Sequence, residues 1–329
     1  MHYRGTFKFF VYVLTNFFEF FFEIKAKSRL TSAEKYIIII HYKYRVTKKY
    51  LRREDTMKGK ISLAGDLGSG KSTVSNILIE RLGASYYSTG AIVRSIAASR
   101  GMGVAEFNVY MEAHPEIDRE IDDGLVKLAE KDELMIIDSR LAWHFTRGTF
   151  KVYLSTDITT SALRIMHANR CDEHRSTLEE TIDCTKNRRE SEKKRYKEQY
   201  GVDIKDLLNY DLIVDTTEAT PDQVADAIAD GFNRWLENGG YKSALISPER
   251  INYPDREADN ELVASYSSAL DLGESIPEVK VFEEDGEFYL LEGLESALAH
   301  AFNMDTFIPA TLVYHKRGDE EYIRMQNSL

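Results

Sequence analysis

The stretch Gly65-Asp66-Leu67-Gly68-Ser69-Gly70-Lys71-Ser72-Thr73 holds the residue types needed to grip a polyphosphate. Its first eight positions fit G-x-x-x-x-G-K-[ST] in full. The glycines at 65, 68 and 70 let backbone N–H groups turn inward, and a following helix adds the partial positive charge of its N-terminus. Lys71 would reach the β- and γ-phosphates, and the Ser72 hydroxyl would coordinate Mg²⁺. Gly65, Gly68, Ser69, Gly70, Lys71, Ser72 and Thr73 therefore form a candidate site for ATP with Mg²⁺. The competing reading is a tight turn that matches by accident, and the flanks oppose it. Ile61–Ala64 is a short apolar run of strand type, and Val74, Ile77, Leu78 and Leu82 recur at helical spacing.

The phosphate acceptor has to be sought downstream. No N-K-x-D guanine reader follows, which speaks against a regulatory GTPase. Instead Ser88, Thr89 and Gly90 end a short apolar stretch and open a helix carrying Arg94, a place for a second, smaller anion. A guanidinium offers a planar, bidentate fork for a monophosphate, although a solvated helix arginine is the plain alternative. Leu134–Ile137 reads as another buried strand, ending in Asp138-Ser139-Arg140. Carboxylates at the C-terminal ends of parallel strands face the ligand crevice. Asp138 would read a base or act through water on Mg²⁺, or simply cap a helix, and Arg140 would hold the acceptor phosphate. The next stretch supplies Arg164, Arg170, Arg175, Arg188, Arg189 and Arg195. Phosphoryl transfer depends on positioning and charge stabilisation, so arginines closing over the phosphates are the expected device. Glu179, Glu180, Glu190 and Glu192 imply that several of them pair on helix faces. Arg195, Arg189 and Arg170, in that order, are the catalytic candidates, with Arg188 at the surface. Cys171, His174 and Cys184 have a spacing poor for zinc.

The segments "ISLAGDLGSGKSTVS", "YYSTGAIVRSIAASRGM", "IIDSRLAWHF", "RRESEKKRYKEQYGVD" and "YDLIVDTTEATPDQVADAI" together resemble the cytidylate kinase family. They are most similar to its compact branch with R-[ED]-x-[ED]-x-x-R-Y and D-[GS]-R-L-A motifs. The resemblance spans about Met57 to Trp235. It implies an α/β P-loop nucleoside monophosphate kinase fold, with a five-stranded parallel sheet, helices on both faces, a helical acceptor region and a lid. It also implies transfer of the γ-phosphate of ATP to CMP or dCMP, giving the diphosphate and ADP. Carried over by residue, Arg94 and Arg140 become acceptor-phosphate ligands, Asp138 a nucleotide-site acid, and Arg189 and Arg195 lid arginines. Ser139 departs from the glycine of many relatives and puts the acceptor in question more than the chemistry. Two other readings stay open. One is a P-loop kinase for another small acceptor. The other is an ATP-binding regulatory module whose C-terminal domain docks a partner protein.

The length of 329 residues suggests two domains, and two cysteines suit a reducing, cytoplasmic compartment. Residues 1–56 carry 12 Lys and Arg against 5 Asp and Glu, whereas residues 241–329 carry 7 against 18. The acidic end argues against tight, non-specific nucleic-acid binding there. Residues 1–56 are rich in Phe, Ile, Tyr and Lys, as an AT-rich frame read upstream of its true start would be, with Met57 as initiator. That extension is expected to be non-native or accessory. A membrane anchor is the other reading, although Lys8, Glu19 and Glu23 interrupt the apolar run. No membrane partner is expected if the extension is not native.

Residues 57–240 form the expected kinase-like domain, closed by a strand at Leu212–Val214 and a helix capped by Thr220 and opened by Pro221. Asn238-Gly239-Gly240 reads as a linker to a 241–329 domain. There "PEVKVFEEDGEFYLLEG" predicts a hairpin about Asp285-Gly286, followed by a short helix and a returning strand. That order resembles the ParB/sulfiredoxin type of α+β domain. The positions matching its D-G-H-H-R-x-x-A-like motif read Glu292-Gly293-Leu294-Glu295-Ser296-Ala297-Leu298-Ala299, without the histidines and arginine. The resemblance thus implies a degenerate docking or regulatory module. An active nucleotide site there would rest on Glu295.

Overall fold

The computed structural model describes residues 58–324 apart from 104–105, 108–109, 112, 168–176 and 319–320. The N-terminal extension, Arg170, Cys171, His174 and Arg175 lie outside the described residues. Strand β1 (Lys60–Gly65) leads through the glycine loop into α1 (Lys71–Leu82). β2 (Ser85–Ser88), α2 (Thr89–Ser99) and α3 (Pro115–Leu128) follow, then β3 (Met135–Asp138), α4 (Ala142–Phe145) and β4 (Thr149–Ser155). After α5 (Ile158–His167) come the long α6 (Leu178–Tyr200), β5 (Leu212–Asp215) and α7 (Pro221–Asn238).

These five strands lie in the order β5-β4-β1-β3-β2, all parallel. Parallel sheets covered on both faces need strands that are apolar throughout, and every residue of β1 is buried. With β1 between β3 and β4, the chain builds β2 and β3 on one side of it and then crosses to the other side for β4 and β5. A ligand crevice opens at such a switch point, at the C-terminal strand ends. The elements are capped as their sequences require. Ser88 Oγ accepts from Ala91 N at the start of α2, and Thr220 and Gln223 form a reciprocal capping box on α7. Met135–Asp138 runs one residue further than the apolar pattern indicates, so Asp138 is the strand's last residue.

The C-terminal segment contains β6 (Ser243–Ile246), β7 (Ile251–Pro254), α8 (Asn260–Asp271), β8 (Val279–Glu284), β9 (Glu287–Glu292), α9 (Leu294–Phe302), β10 (Ile308–Leu312) and β11 (Tyr322–Arg324). β8 and β9 form the expected hairpin, with positive φ at both Asp285 and Gly286. Helix α8 escapes the apolar pattern. Its start is marked by Asp259, whose carboxylate accepts from the N–H groups of Glu261 and Leu262.

At the expected linker the sheet does not stop. β6 pairs in parallel with β5, Ile213 opposite Ala244, and the order continues β11-β7-β9-β8-β10-β6-β5. One apolar core runs under both halves, joining Tyr153, Tyr210 and Ile213 to Ala244, Val281 and Phe288. Among the described residues no helix is long and apolar enough to cross a membrane.

Candidate active site

The glycine loop is built against the end of β4. Gly65 leaves the sheet with φ 151°, and a Cβ there would lie 2.6 Å from the Leu154 carbonyl oxygen. Gly68, at φ 75°, would meet the Ser161 carbonyl oxygen at the same distance. Side chains are excluded at both positions, so the loop backbone is packed from behind, where Asp66 N donates to the Leu154 carbonyl at 2.9 Å. The Ser69 hydroxyl donates to the Asp66 carbonyl at 2.8 Å. Lys71 Nζ donates to the carbonyls of Gly65 and Asp66 at 2.9 and 2.8 Å, closing the loop on itself. Ser72 and Thr73 stand exposed in the first turn of α1. These residues fit a polyphosphate with Mg²⁺: the glycines leave the backbone open to close approach, the lysine is at hand, and the Ser72 hydroxyl is accessible. Burial, then the neighbouring Arg140, lowers the Lys71 ammonium to about 8 against the pull of Asp138, Asp66 and Glu192. An anion bound in the loop would raise it again.

The second loop residue, Asp66, is only 6% exposed. Its carboxylate accepts from the Tyr153 hydroxyl at 2.8 Å and from Thr156 N at 3.1 Å. It also pairs with Lys205, and Arg189 Nε lies 3.7 Å away. Lys205 donates to the Tyr153 hydroxyl as well, at 2.7 Å. Burial by itself would raise the Asp66 carboxyl. Lys205 and then Arg189, with hydrogen bonds from Lys205 and Tyr153, outweigh it and hold the pKa at about 2. Sequence reasoning missed this cluster, since Asp66 occupies a freely variable motif position and Lys205 lies far along the chain.

A pH dependence follows. The folded pKa lies below the ordinary aspartate value of 3.8, so the stabilisation is complete above about pH 5 and lost as pH falls through about 2. A shift of this size corresponds to about 2 kcal/mol. The urea midpoints of the wild type and Asp66→Asn should therefore differ by a constant amount above pH 5 and converge towards pH 2. A gap independent of pH would remove the assignment.

Beside the loop lies an open recess lined by Gly65, Asp66, Arg140, Tyr153, Arg189 and Lys205 among others. Arg140 Nε is 2.8 Å from Glu192 Oε2, and the exposed Arg188 reaches the other oxygen of Glu192 at 3.2 Å. Arg189 on α6 is largely buried, yet its Nε and Nη2 have no hydrogen-bond partner among the described residues. Of the arginines expected to catalyse, Arg189 reaches the recess. Arg195 does not line it: its guanidinium stacks 5.0 Å over the Tyr196 ring, within the field of Asp118 on α3. Arg164 is held at the backbone, donating to the carbonyls of Thr216 and Thr217 at 2.7 and 3.2 Å.

Of the expected acceptor residues, Asp138, Ser88 and Arg94 gather around Tyr86. Asp138 Oδ2 accepts from the Tyr86 hydroxyl at 2.9 Å, so its carboxylate caps no helix. The short α4 has Leu141 at its N-cap and no side-chain cap, and just ahead of it the Ser139 hydroxyl accepts from Leu141 N at 3.3 Å. Arg94 is exposed on α2, where a Cβ on Gly90 would lie 3.4 Å from its Nη1, and its charge acts on Tyr86. Thr89 and Gly90 form the half-buried first turn of that helix, while the Ser88 hydroxyl is engaged as its cap. No group of metal-binding side chains occurs among the described residues.

A family model described as "Cytidylate kinase-like family" matches residues 60–218. A cytidylate kinase from Thermoplasma acidophilum is 34% identical over 174 residues, covering 52% of this chain and 90% of the relative. An S-adenosylmethionine-dependent nucleotide dehydratase from Lacinutrix mariniflava is 36% identical over 179 residues, which is 54% of this chain but only 37% of that relative. Among solved structures, a shikimate kinase from Acinetobacter baumannii in complex with shikimate aligns over 55% of this chain and 94% of its own, with 18% identity and a TM-score of 0.36. A sulfiredoxin from Arabidopsis thaliana aligns over 22% of this chain and 85% of its own, with 20% identity and a TM-score of 0.21.

Proposed function

Because the chain belongs to the cytidylate kinase-like family, we propose that it transfers the γ-phosphate of ATP to CMP or dCMP, giving the diphosphate and ADP. The observation that carries this reading is the convergence of Arg140 and Arg189, two of whose N–H groups have no hydrogen-bond partner among the described residues, on one recess beside the glycine loop, with Lys71 of that loop in the field of Arg140.

In this reading the backbone N–H groups of the loop hold the β- and γ-phosphates, and Lys71 exchanges its own loop carbonyls for phosphate oxygens. Mg²⁺ held at Ser72 would neutralise phosphate charge. Arg189 supplies two N–H donors to the charge that spreads over the transferred group. Arg140 shares its fork between Glu192 and the acceptor phosphate, with Arg94 on the opposite side. Asp138, fixed by Tyr86, faces the acceptor nucleoside. Arg195 lies towards α3, on the acceptor side. Arg170 belongs to the same arginine-rich stretch by sequence.

The departure at Ser139 weighs little against a cytidine acceptor. The residue is 7% exposed and its hydroxyl is taken by Leu141 N, so it is turned into its own loop. The test is ADP release, coupled to NADH oxidation, with ATP and Mg²⁺ and each of CMP, dCMP, UMP, AMP and GMP. A rise of at least about 100-fold with CMP or dCMP over ATP alone is the expected result. Slow hydrolysis indifferent to every monophosphate would replace the kinase by an ATP-dependent regulatory module.

A further inference from the structure

We infer that Arg250, contributed by the C-terminal segment, is a positioning residue for the nucleotide site. It acts through Asp215 on the turn 215–217, and the inference rests on the ATP-binding reading above. Arg250 ends a single 3₁₀ turn, Pro248–Arg250, and is 2% exposed. Its Nη2 donates to the Gly286 carbonyl at 3.0 Å, its Nη1 lies 3.4 Å from Glu287 Oε1, and its plane sits 5.7 Å from the centre of the Phe288 ring. All three contacts lie in the β8–β9 hairpin. On its other side Nε lies 3.6 Å from Oδ1 of Asp215, the fully buried last residue of β5. The guanidinium is thus clamped between the hairpin and the sheet end that carries the phosphate loop.

What Asp215 holds makes this more than an internal ion pair. Its Oδ1 also accepts from Thr217 N at 3.2 Å and from the Thr217 hydroxyl at 2.7 Å, while Oδ2 accepts from Ser247 N at 3.3 Å. The carboxylate therefore sets the course of residues 215–217. That turn carries the carbonyls that receive Arg164. The Thr216 hydroxyl meets the Thr156 hydroxyl at 2.5 Å, and Thr156 N donates to Asp66 in the glycine loop. Arg164 belongs to α5, whose Ser161 hydroxyl donates to the Leu67 carbonyl of the same loop. Without Arg250 the Asp215 carboxylate would keep its neutral donors but lose the only cation paired with it among the described residues. A buried, unpaired carboxylate takes up a proton or admits water, and either change alters what it offers Thr217.

The experiment measures ATP binding to the full chain by calorimetry, with no acceptor present. Arg250→Met should weaken ATP binding by about tenfold, the scale of a coupling between linked sites. Arg250→Lys should recover part of the loss. Val281→Ala cuts into the buried core of the same segment without touching Arg250 and should leave ATP affinity unchanged. If Arg250→Met does not fold, Glu287→Gln at the half-exposed outer end of the clamp serves instead, with an expected loss of about threefold. ATP affinity equal to wild type in the folded Arg250→Met or Glu287→Gln protein overturns the inference. So does an equal loss in Val281→Ala, which would make the effect one of general stability. A wild type that binds ATP yet phosphorylates no cytidine nucleotide overturns the proposed reaction alone.

Discussion

Replacing Lys71 by methionine should leave a folded protein in which acceptor-dependent ADP release falls by about 1000-fold or more. Methionine keeps much of the apolar stem and removes only the ammonium. The carbonyls of Gly65 and Asp66 lose that donor, but the side chain they face is only half-buried, so water can replace it at small cost in stability. The catalytic loss is large because the lysine charge is the loop's own counter-charge to the transferred group, in a site where the carboxylates of Asp138, Asp66 and Glu192 also act on it. ATP affinity should fall less, by about tenfold, since the backbone N–H groups remain. Steady-state rates and an ATP titration of the same preparation separate the two effects. Activity within tenfold of wild type would remove the glycine loop from the chemistry.

The second large effect is expected at Arg189. Arg189→Ala should lower kcat by about 100- to 1000-fold while shifting the ATP KM only a few-fold. Two of its buried N–H groups have no partner among the described residues, which is costly unless a ligand or water completes them. The fold should tolerate the change, because Asp66 keeps Lys205, Tyr153 and Thr156 as partners. Arg189→Lys should recover little, since an ammonium cannot reproduce the planar fork. An unchanged kcat accompanied by a drop in thermal stability would make Arg189 a structural partner of Asp66 and nothing more.

The features readable from sequence are those whose cause is local. The glycine loop declares itself because its glycines, lysine and serine act within nine residues. The Asp285-Gly286 turn and the Thr220 cap are equally self-contained. The apolar runs Ile61–Ala64, Leu134–Ile137 and Leu212–Val214 mark β1, β3 and β5, whereas the number of five parallel strands comes from the family resemblance. What stayed hidden depends on which distant segments meet. Six arginines look alike on paper, and only the packing of α6 brings Arg189 to the recess and turns Arg195 towards Tyr196. Asp66 and Lys205 belong to segments with no shared pattern, and their pairing exists only once Lys205 is carried back beside Tyr153. Helix α8 was missed because its serines and scattered apolar residues give it little amphipathic contrast, and only Ser267 in it is buried. The continuation of the sheet through β6 was masked by a Gly-Gly pair, which marks a bend in the chain but says nothing of what the strands beyond it will pair with.

The pairing of β5 with β6 also bears on how the protein melts. A strand hydrogen-bonded along both edges cannot separate from one neighbour without exposing backbone groups on the other, and here the apolar core is continuous beneath it. Heat should therefore take residues 58–324 apart in one cooperative step, with calorimetric and van't Hoff enthalpies equal, where two beads on a string would show two. Amides in β5 should be among the slowest to exchange with deuterium, matching those of β1 at the centre of the parallel strands.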